Sequence, residues 1–136
     1  MGFLADRKIL ITGVLSNRSI AYGVARACKR EGASLAFTYV NEDLKDRVTK
    51  LASEFGSCPV LPCDVAHDGQ IDALFDTLKR EWGVLDGLLH SIAFAPREAL
   101  AGDFLNAITG ETVYIADNGR GSSRAALAKG AWLPVD

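Results

Sequence analysis

Gly13, Ser19 and the residues that begin at Ile20 stand where a chain can hold a phosphate. Ile9 to Ile11 are bulky, uncharged and uninterrupted, which suits a strand buried on both faces. Gly13 ends that run, and a loop of Ser, Asn and Arg follows. From Ser19 the spacing becomes helical, with Ile20, Val24, Ala27 and Cys28 on one expected buried face. The first amides of a helix lack internal partners and carry the positive end of its dipole, so strand, glycine turn and helix start together attract an anion. Gly13 permits a close backbone approach, and Ser19 can either cap the helix or donate its hydroxyl to a pyrophosphate oxygen. The G-x-G-x-x-G spacing is absent, because the next glycine after Gly13 is Gly23. An ordinary strand-to-helix turn with a serine cap therefore fits the same residues.

Those residues need a scaffold, and the rest of the chain supplies one. Ser34 to Val40 reads as a second strand, and Asn41 as the cap of a helix buried through Leu44, Val48, Leu51 and Phe55 up to Gly56. A third strand from Val60 to Cys63 leads to Asp64 and Val65. Asp68 is the expected cap of a helix with Ile71, Leu74, Phe75, Leu78 and Trp82 inward, stopped by Gly83. Leu85 to Ala93 reads as a fourth strand, with His90 as a core histidine. Strands alternating with amphipathic helices imply an α/β fold, a Rossmann-like, doubly wound parallel sheet. Ligands of such sheets sit beyond the carboxyl ends of the strands, near the switch in strand order. Gly13, Val40, Asp64 and the Ser91–Ala93 turn all follow such ends. Asp64 can accept from an adenine amino group with the Val65 backbone against the ring, or it can simply cap a turn. Tyr39, Val40 and Asn41 offer neither the acid expected for NAD nor the base expected for NADP, and the missing base favours NADH. Arg97 and Glu98, after Pro96, read as a solvated loop.

Composition narrows the classes. With 136 residues, 49% apolar and 24% charged, the chain has the make-up of one ordinary globular domain. A net charge of -2 gives no electrostatic footprint for nucleic acid or an anionic membrane. Asp6, Arg7 and Lys8 precede any long apolar run, and no stretch approaches bilayer-spanning length, so a cytoplasmic protein without a signal peptide is expected. Cys28, Cys58 and Cys63 lack disulfide spacing, and only His67 and His90 can join them at a metal, so no metal is expected.

Read together, Met1-Gly2-Phe3-Leu4, Ile11-Thr12-Gly13, Ser19-Ile20-Ala21-Tyr22-Gly23, Ala36-Phe37-Thr38-Tyr39, Cys63-Asp64-Val65 and His90 to Pro96 resemble one family. It is the bacterial NADH-dependent enoyl-acyl-carrier-protein reductases, divergent short-chain dehydrogenase/reductases of fatty-acid biosynthesis. The resemblance spans residues 1 to 108. It implies reduction of an enoyl thioester carried on acyl carrier protein, NADH as cofactor, and a homo-oligomer for the intact family. It also implies Gly13, Ser19 and Ile20 at the pyrophosphate, Asp64 and Val65 at adenine, Ile92 toward the nicotinamide and Ala95 beside the acyl substrate. Val40 stands where relatives often have Gln, and cannot make that side-chain hydrogen bond.

The family's catalytic pair, a Tyr and a Lys separated by six residues on a later strand and helix, is not found, so no catalytic residue is assigned. Tyr22 and Lys29 have the spacing but lie on the first helix, which makes them a coincidence. A non-catalytic dinucleotide-binding module is the alternative. Residues 1–108 are expected as the cofactor-binding half-domain of an incomplete family domain. The tail, 109–136, reads either as a continuing helix through Ala125 to Lys129 or as a displaced final strand over Ile108 to Ile115.

Overall fold

The structure, a computed structural model, describes residues 2–94 and 114–115. Two compact units divide the chain, Met1–Ser91 and Ile92–Asp136. The boundary expected at 108/109 lies outside the described residues.

The first unit alternates strand and helix: β1 Lys8–Ile11, α1 Ile20–Arg30, β2 Ser34–Tyr39, α2 Glu42–Ser53, β3 Val60–Pro62, α3 Asp68–Trp82 and β4 Gly87–Leu89. All four strands are parallel, in the order β3-β2-β1-β4, with Ile11 beside both Phe37 and Leu89. The chain thus steps outward from β1 to β3, then returns to the far side of β1. Right-handed crossovers place α1 and α2 on one face of the sheet and α3 on the other. The two-residue period of the strands sorts the side chains accordingly. Ile11, Leu35, Phe37 and Tyr39 pack with α1 and α2 residues, whereas Leu10 and Ala36 pack with Leu74 and Leu78 of α3. This is the doubly wound sheet that the alternation of elements implies.

The helix boundaries follow local chemistry. The Asn41 side chain accepts from the Leu44 amide at 3.1 Å, and Gly83 ends α3 with φ 73, a conformation that costs glycine nothing. Three expectations need correction. Asp68 is the first residue of α3; its cap is His67, which makes no side-chain capping bond. Phe75 is 40% exposed. On α1 the fully buried line is Ala21 and Ala25, with Val24 and Cys28 flanking it, while Ile20 is 81% exposed. Small side chains let a helix approach a sheet most closely, so the alanines, not the bulkiest residues, mark the contact.

β4 is also shorter than Leu85–Ala93. Asp86, before it, accepts from the Lys8 amide at 2.8 Å and from Arg7 at 3.3 Å, fixing the amino ends of β1 and β4 together. That amide hydrogen bond holds the Asp86 carboxyl below the usual carboxylate range, with Arg7 assisting. At the carboxyl end the ladder stops after Leu89, and His90 is exposed instead of buried in the core. In the second unit, β5 Ala93–Phe94 and β6 Tyr114–Ile115 form an antiparallel pair, with Phe94 opposite Tyr114. Of the segment named in the strand reading of the tail, Tyr114 and Ile115 alone are described. Residues 108–113 and the expected helix at 125–129 lie outside the described residues.

Candidate functional site

The carboxyl ends of β1 and β4 meet at the switch in strand order, and Thr12 joins them. Its amide and its hydroxyl both donate to the Leu89 carbonyl, at 3.2 and 2.7 Å, and its Oγ1 accepts from the Ser91 amide at 2.9 Å. A side chain has taken over where the backbone ladder ends, and buried Thr12 is fully satisfied. The following residue, Gly13, has φ +79, and a Cβ built there would lie 1.9 Å from the Ser91 carbonyl oxygen. The close approach that this glycine permits is thus to the β4 loop. It draws Ser91 against the turn that leads to α1.

Ser19 is used differently from a helix cap. Its Oγ accepts from the loop amides of Leu15 and Ser16 at 3.1 and 3.0 Å and makes no capping bond to α1. A hydroxyl oxygen has two lone pairs and one proton. With both lone pairs engaged, the proton has no acceptor among the described residues and is left to donate outward. The first helical hydrogen bonds run from Tyr22 and Gly23 to the Ser19 carbonyl, so the Ile20 and Ala21 amides precede them. No acidic residue stands in the first turn of α1, and Lys29 and Arg30 complement the dipole at its far end. The α1 terminus is therefore receptive to an anion, with exposed Ile20 at its rim.

Beyond β3, Asp64 organises its own turn. Its Oδ1 accepts from the Ala66 amide at 3.0 Å, its carbonyl accepts from His67, and its amide donates to Gln70 Oε1 at 2.8 Å. The turn-capping role is real, yet it uses one carboxylate oxygen only. Oδ2 lies 3.7 Å from His67 Nε2, and the side chain keeps 33% of its surface exposed. Val65 packs beside α3, and buried Cys63 sits below. Burial first, then the neighbouring Asp64 charge, pushes the Cys63 thiol up, so it stays protonated and inert.

The remaining expectations fall as follows. Ile92 is half-buried and opens the second unit, whereas Ala95 lies outside the described residues. Val40 is 38% exposed at the end of β2. Among the described residues no group of three His, Cys, Asp or Glu side chains is placed to hold a metal. The Tyr22 hydroxyl donates to Glu54, and that hydrogen bond raises the phenol above its ordinary range. Tyr22 and Lys29 both lie on α1, and the Tyr22 hydroxyl is already given to Glu54. One feature escaped the sequence reading because it lies just past the residues expected to matter. Glu42, at the first position of α2, receives the Tyr39 hydroxyl at 3.4 Å and Lys45 at 3.6 Å. The signal was present as an acid one residue after the Asn41 cap, and first-turn acids are ordinarily explained by the helix dipole alone.

Comparison with known proteins agrees with this architecture. Residues 13–129 match the family model described as enoyl-(acyl carrier protein) reductase. The NADH-dependent enoyl-acyl-carrier-protein reductase FabI of Neisseria meningitidis serogroup B is 54% identical over 131 residues, covering 96% of this chain and 50% of the relative. The crystal structure of the Bacillus cereus enoyl-acyl carrier protein reductase with NADP+ and an indole naphthyridinone superimposes with a TM-score of 0.74 at 42% identity, covering 78% of this chain and 42% of that one. The Anaplasma phagocytophilum reductase in complex with NAD gives a TM-score of 0.72 at 31% identity, covering 96% and 50%. The chain spans about half the length of the curated relatives it matches. Family model, identity and shared sheet together show that this chain belongs to the enoyl-(acyl carrier protein) reductase family.

Proposed function

We propose that the chain is the nicotinamide-dinucleotide-binding half of an NADH-dependent enoyl-acyl-carrier-protein reductase. The observation that carries this is the α1 terminus: a serine whose lone pairs are both engaged, free first amides and no acid, set at the strand switch. This donor set fits a pyrophosphate. Gly13 would bring the β4 loop against the turn, Ser19 would donate its hydroxyl proton to a phosphate oxygen, and Ile20 would cover that region from the solvent side. Asp64 Oδ2 would accept from the adenine amino group while Oδ1 keeps the turn, and Val65 would lie along the ring. By resemblance, Ile92 would run toward the nicotinamide and Ala95 would border the acyl chain of a substrate borne by acyl carrier protein.

The reduced nicotinamide supplies the hydride that such a reductase delivers to the enoyl thioester. The part left to the protein is to hold the dinucleotide and to stabilise negative charge on the thioester oxygen. The residues described above perform the first task. A tyrosine and lysine suited to the second are not found in the chain, which keeps a non-catalytic dinucleotide-binding module as the second reading.

Two binding results are expected. Calorimetric titration of the chain should give NADH at least as tight as NADPH, because no Arg or Lys directly follows Tyr39; a clear preference for NADPH would remove the β2 end as a ribose site. Asp64→Ala should weaken NADH by roughly 1–2 kcal/mol, the worth of one hydrogen bond to a charged group. Nicotinamide mononucleotide, which has no adenine, should be indifferent to that change. Equal losses for both ligands would mean that Asp64 serves only its turn.

A further inference from the structure

His67 stands before α3 without doing what that position asks. The residue before a helix ordinarily offers a side-chain oxygen to the first free amides. His67 has the extended backbone of a cap, φ -120 and ψ 105, but its side chain makes no capping bond. The ring turns back to Asp64 instead, with Nε2 at 3.7 Å from Oδ2. The backbone keeps it there. The His67 amide donates to the Asp64 carbonyl at 3.0 Å, and the His67 carbonyl accepts from the Gln70 amide at 3.0 Å. Gln70 Oε1 in turn accepts from the Asp64 amide at 2.8 Å, which closes the turn on itself. Asp64 Oδ1 is taken by the Ala66 amide at 3.0 Å, so Oδ2 is the oxygen left over, and the ring shares it. Both side chains reach solvent, 64% of His67 and 33% of Asp64 being exposed.

An acceptor oxygen within reach of two donors goes to the stronger. A charged imidazole makes a charge-assisted bond, roughly twice as strong as one from a neutral amino group; a neutral imidazole has no such advantage. Histidine is the side chain that changes between those states around physiological pH. We propose that His67 competes with the adenine amino group for Asp64 Oδ2, so that the dinucleotide binds more weakly as the ring gains its proton. This rests on the reading of Asp64 as the adenine acceptor, and adds what regulates it. The other groups around the turn are of different kinds. Asp68 and Asp72 on α3 have the sign of Asp64, and burial keeps the Cys63 thiol at the end of β3 protonated. At the end of β2, Tyr39 gives its hydroxyl to Glu42, which pairs with Lys45. None of these is a residue type that changes charge where a histidine does.

The test titrates the full chain by calorimetry with two ligands. ADP-ribose carries the adenine and the pyrophosphate without the acid-labile reduced nicotinamide. Its hypoxanthine analogue presents an acceptor where adenine presents the amino group. From about pH 5.5 to about pH 8, the interval in which a histidine loses its charge, ADP-ribose should tighten by about threefold, the size of an exposed ion pair. The hypoxanthine analogue should not tighten. His67→Gln should bind ADP-ribose at the lower pH as the unsubstituted chain does at the higher, with no slope between. His90→Gln, which removes the other of the two histidines, should keep the slope. Suppose ADP-ribose is preferred over the analogue, but the slope is absent, shared by the analogue, retained in His67→Gln or lost in His90→Gln. Any of these overturns this proposal and leaves the adenine reading standing. Equal affinity for the two ligands at the higher pH, or binding of neither by the folded chain, overturns the adenine reading and the proposal together.

Discussion

Gly13→Ala is expected to destabilise the first unit by about 2–5 kcal/mol, summing the cost of a left-handed backbone at a residue with a Cβ and the cost of overpacking. The two contributions have separate causes. Gly13 sits at φ +79, and its missing Cβ would fall 1.9 Å from the Ser91 carbonyl oxygen. That oxygen belongs to backbone and not to a flexible side-chain end, and the Ser91 amide is tied to Thr12 Oγ1 at 2.9 Å. Relief therefore requires the β4 loop to leave β1, which breaks the Thr12 bridge and moves the turn that orients Ser19. Gly23→Ala is the matched control. Gly23 lies inside α1, a Cβ there meets nothing within 4 Å, and alanine should be neutral or stabilising by up to about 1 kcal/mol. Urea unfolding followed by circular dichroism measures both. If Gly13→Ala unfolds at the same urea concentration as the parent, the tight junction of β1 with β4 is not what holds the turn.

These two glycines show where sequence is informative and where it stops. Spacing marks Gly13 as the turn glycine and shows that Gly23 does not complete a G-x-G-x-x-G motif, but only three-dimensional neighbours show how differently the two sites tolerate a Cβ. Local chemistry was legible at the start of α2 and the end of α3, though not at Asp68, which opens α3 where a cap was expected. Asn41 caps α2 and Gly83 stops α3, because those signals depend on residues three or four positions away. The order of strands and helices was legible for the same reason, and the handedness of crossovers then leaves few topologies. What depends on distant partners was not. Ile20 reads as core by helical spacing, yet it opens α1 with its side chain exposed, and the buried line falls on Ala21 and Ala25. His90 reads as core because it follows Leu88 and Leu89, but among the described residues β4 pairs with β1 alone and ends before it. Ser19 reads from its position either as a cap or as a donor to a pyrophosphate; it makes no capping bond, and its hydroxyl oxygen accepts from Leu15 and Ser16 behind it. Asp64 was legible as two alternatives, and the structure gives the turn-capping one a single oxygen.

The second large effect concerns chemistry. The chain supplied with NADH and a crotonyl thioester is expected to show no oxidation of the reduced nicotinamide, even where NADH binds. Hydride arriving at the β carbon leaves negative charge on the thioester oxygen, and a positioned donor must meet it. Loss of one such donor costs on the order of 10²–10³ in rate, and more when its partner is missing too. Three tyrosines are available. Tyr22 is engaged by Glu54, Tyr39 stands at the β2 end beside Glu42, and Tyr114 pairs through its backbone with Phe94 in the second unit. None has a lysine at the family's spacing except Tyr22, which lies on α1 with its hydroxyl given to Glu54. Turnover that disappears in Tyr114→Phe would assign the donor to the second unit and refute this expectation.

The α1 terminus and the turn after β3 are proposed to bind a nicotinamide dinucleotide together. Calorimetric titration of the full chain with NADH, run beside the Asp64→Ala variant under one set of conditions, tests it most directly. One saturable site per chain is expected, weakened by roughly 1–2 kcal/mol in the variant. A chain that is folded by circular dichroism yet gives no saturable heat with NADH would contradict it.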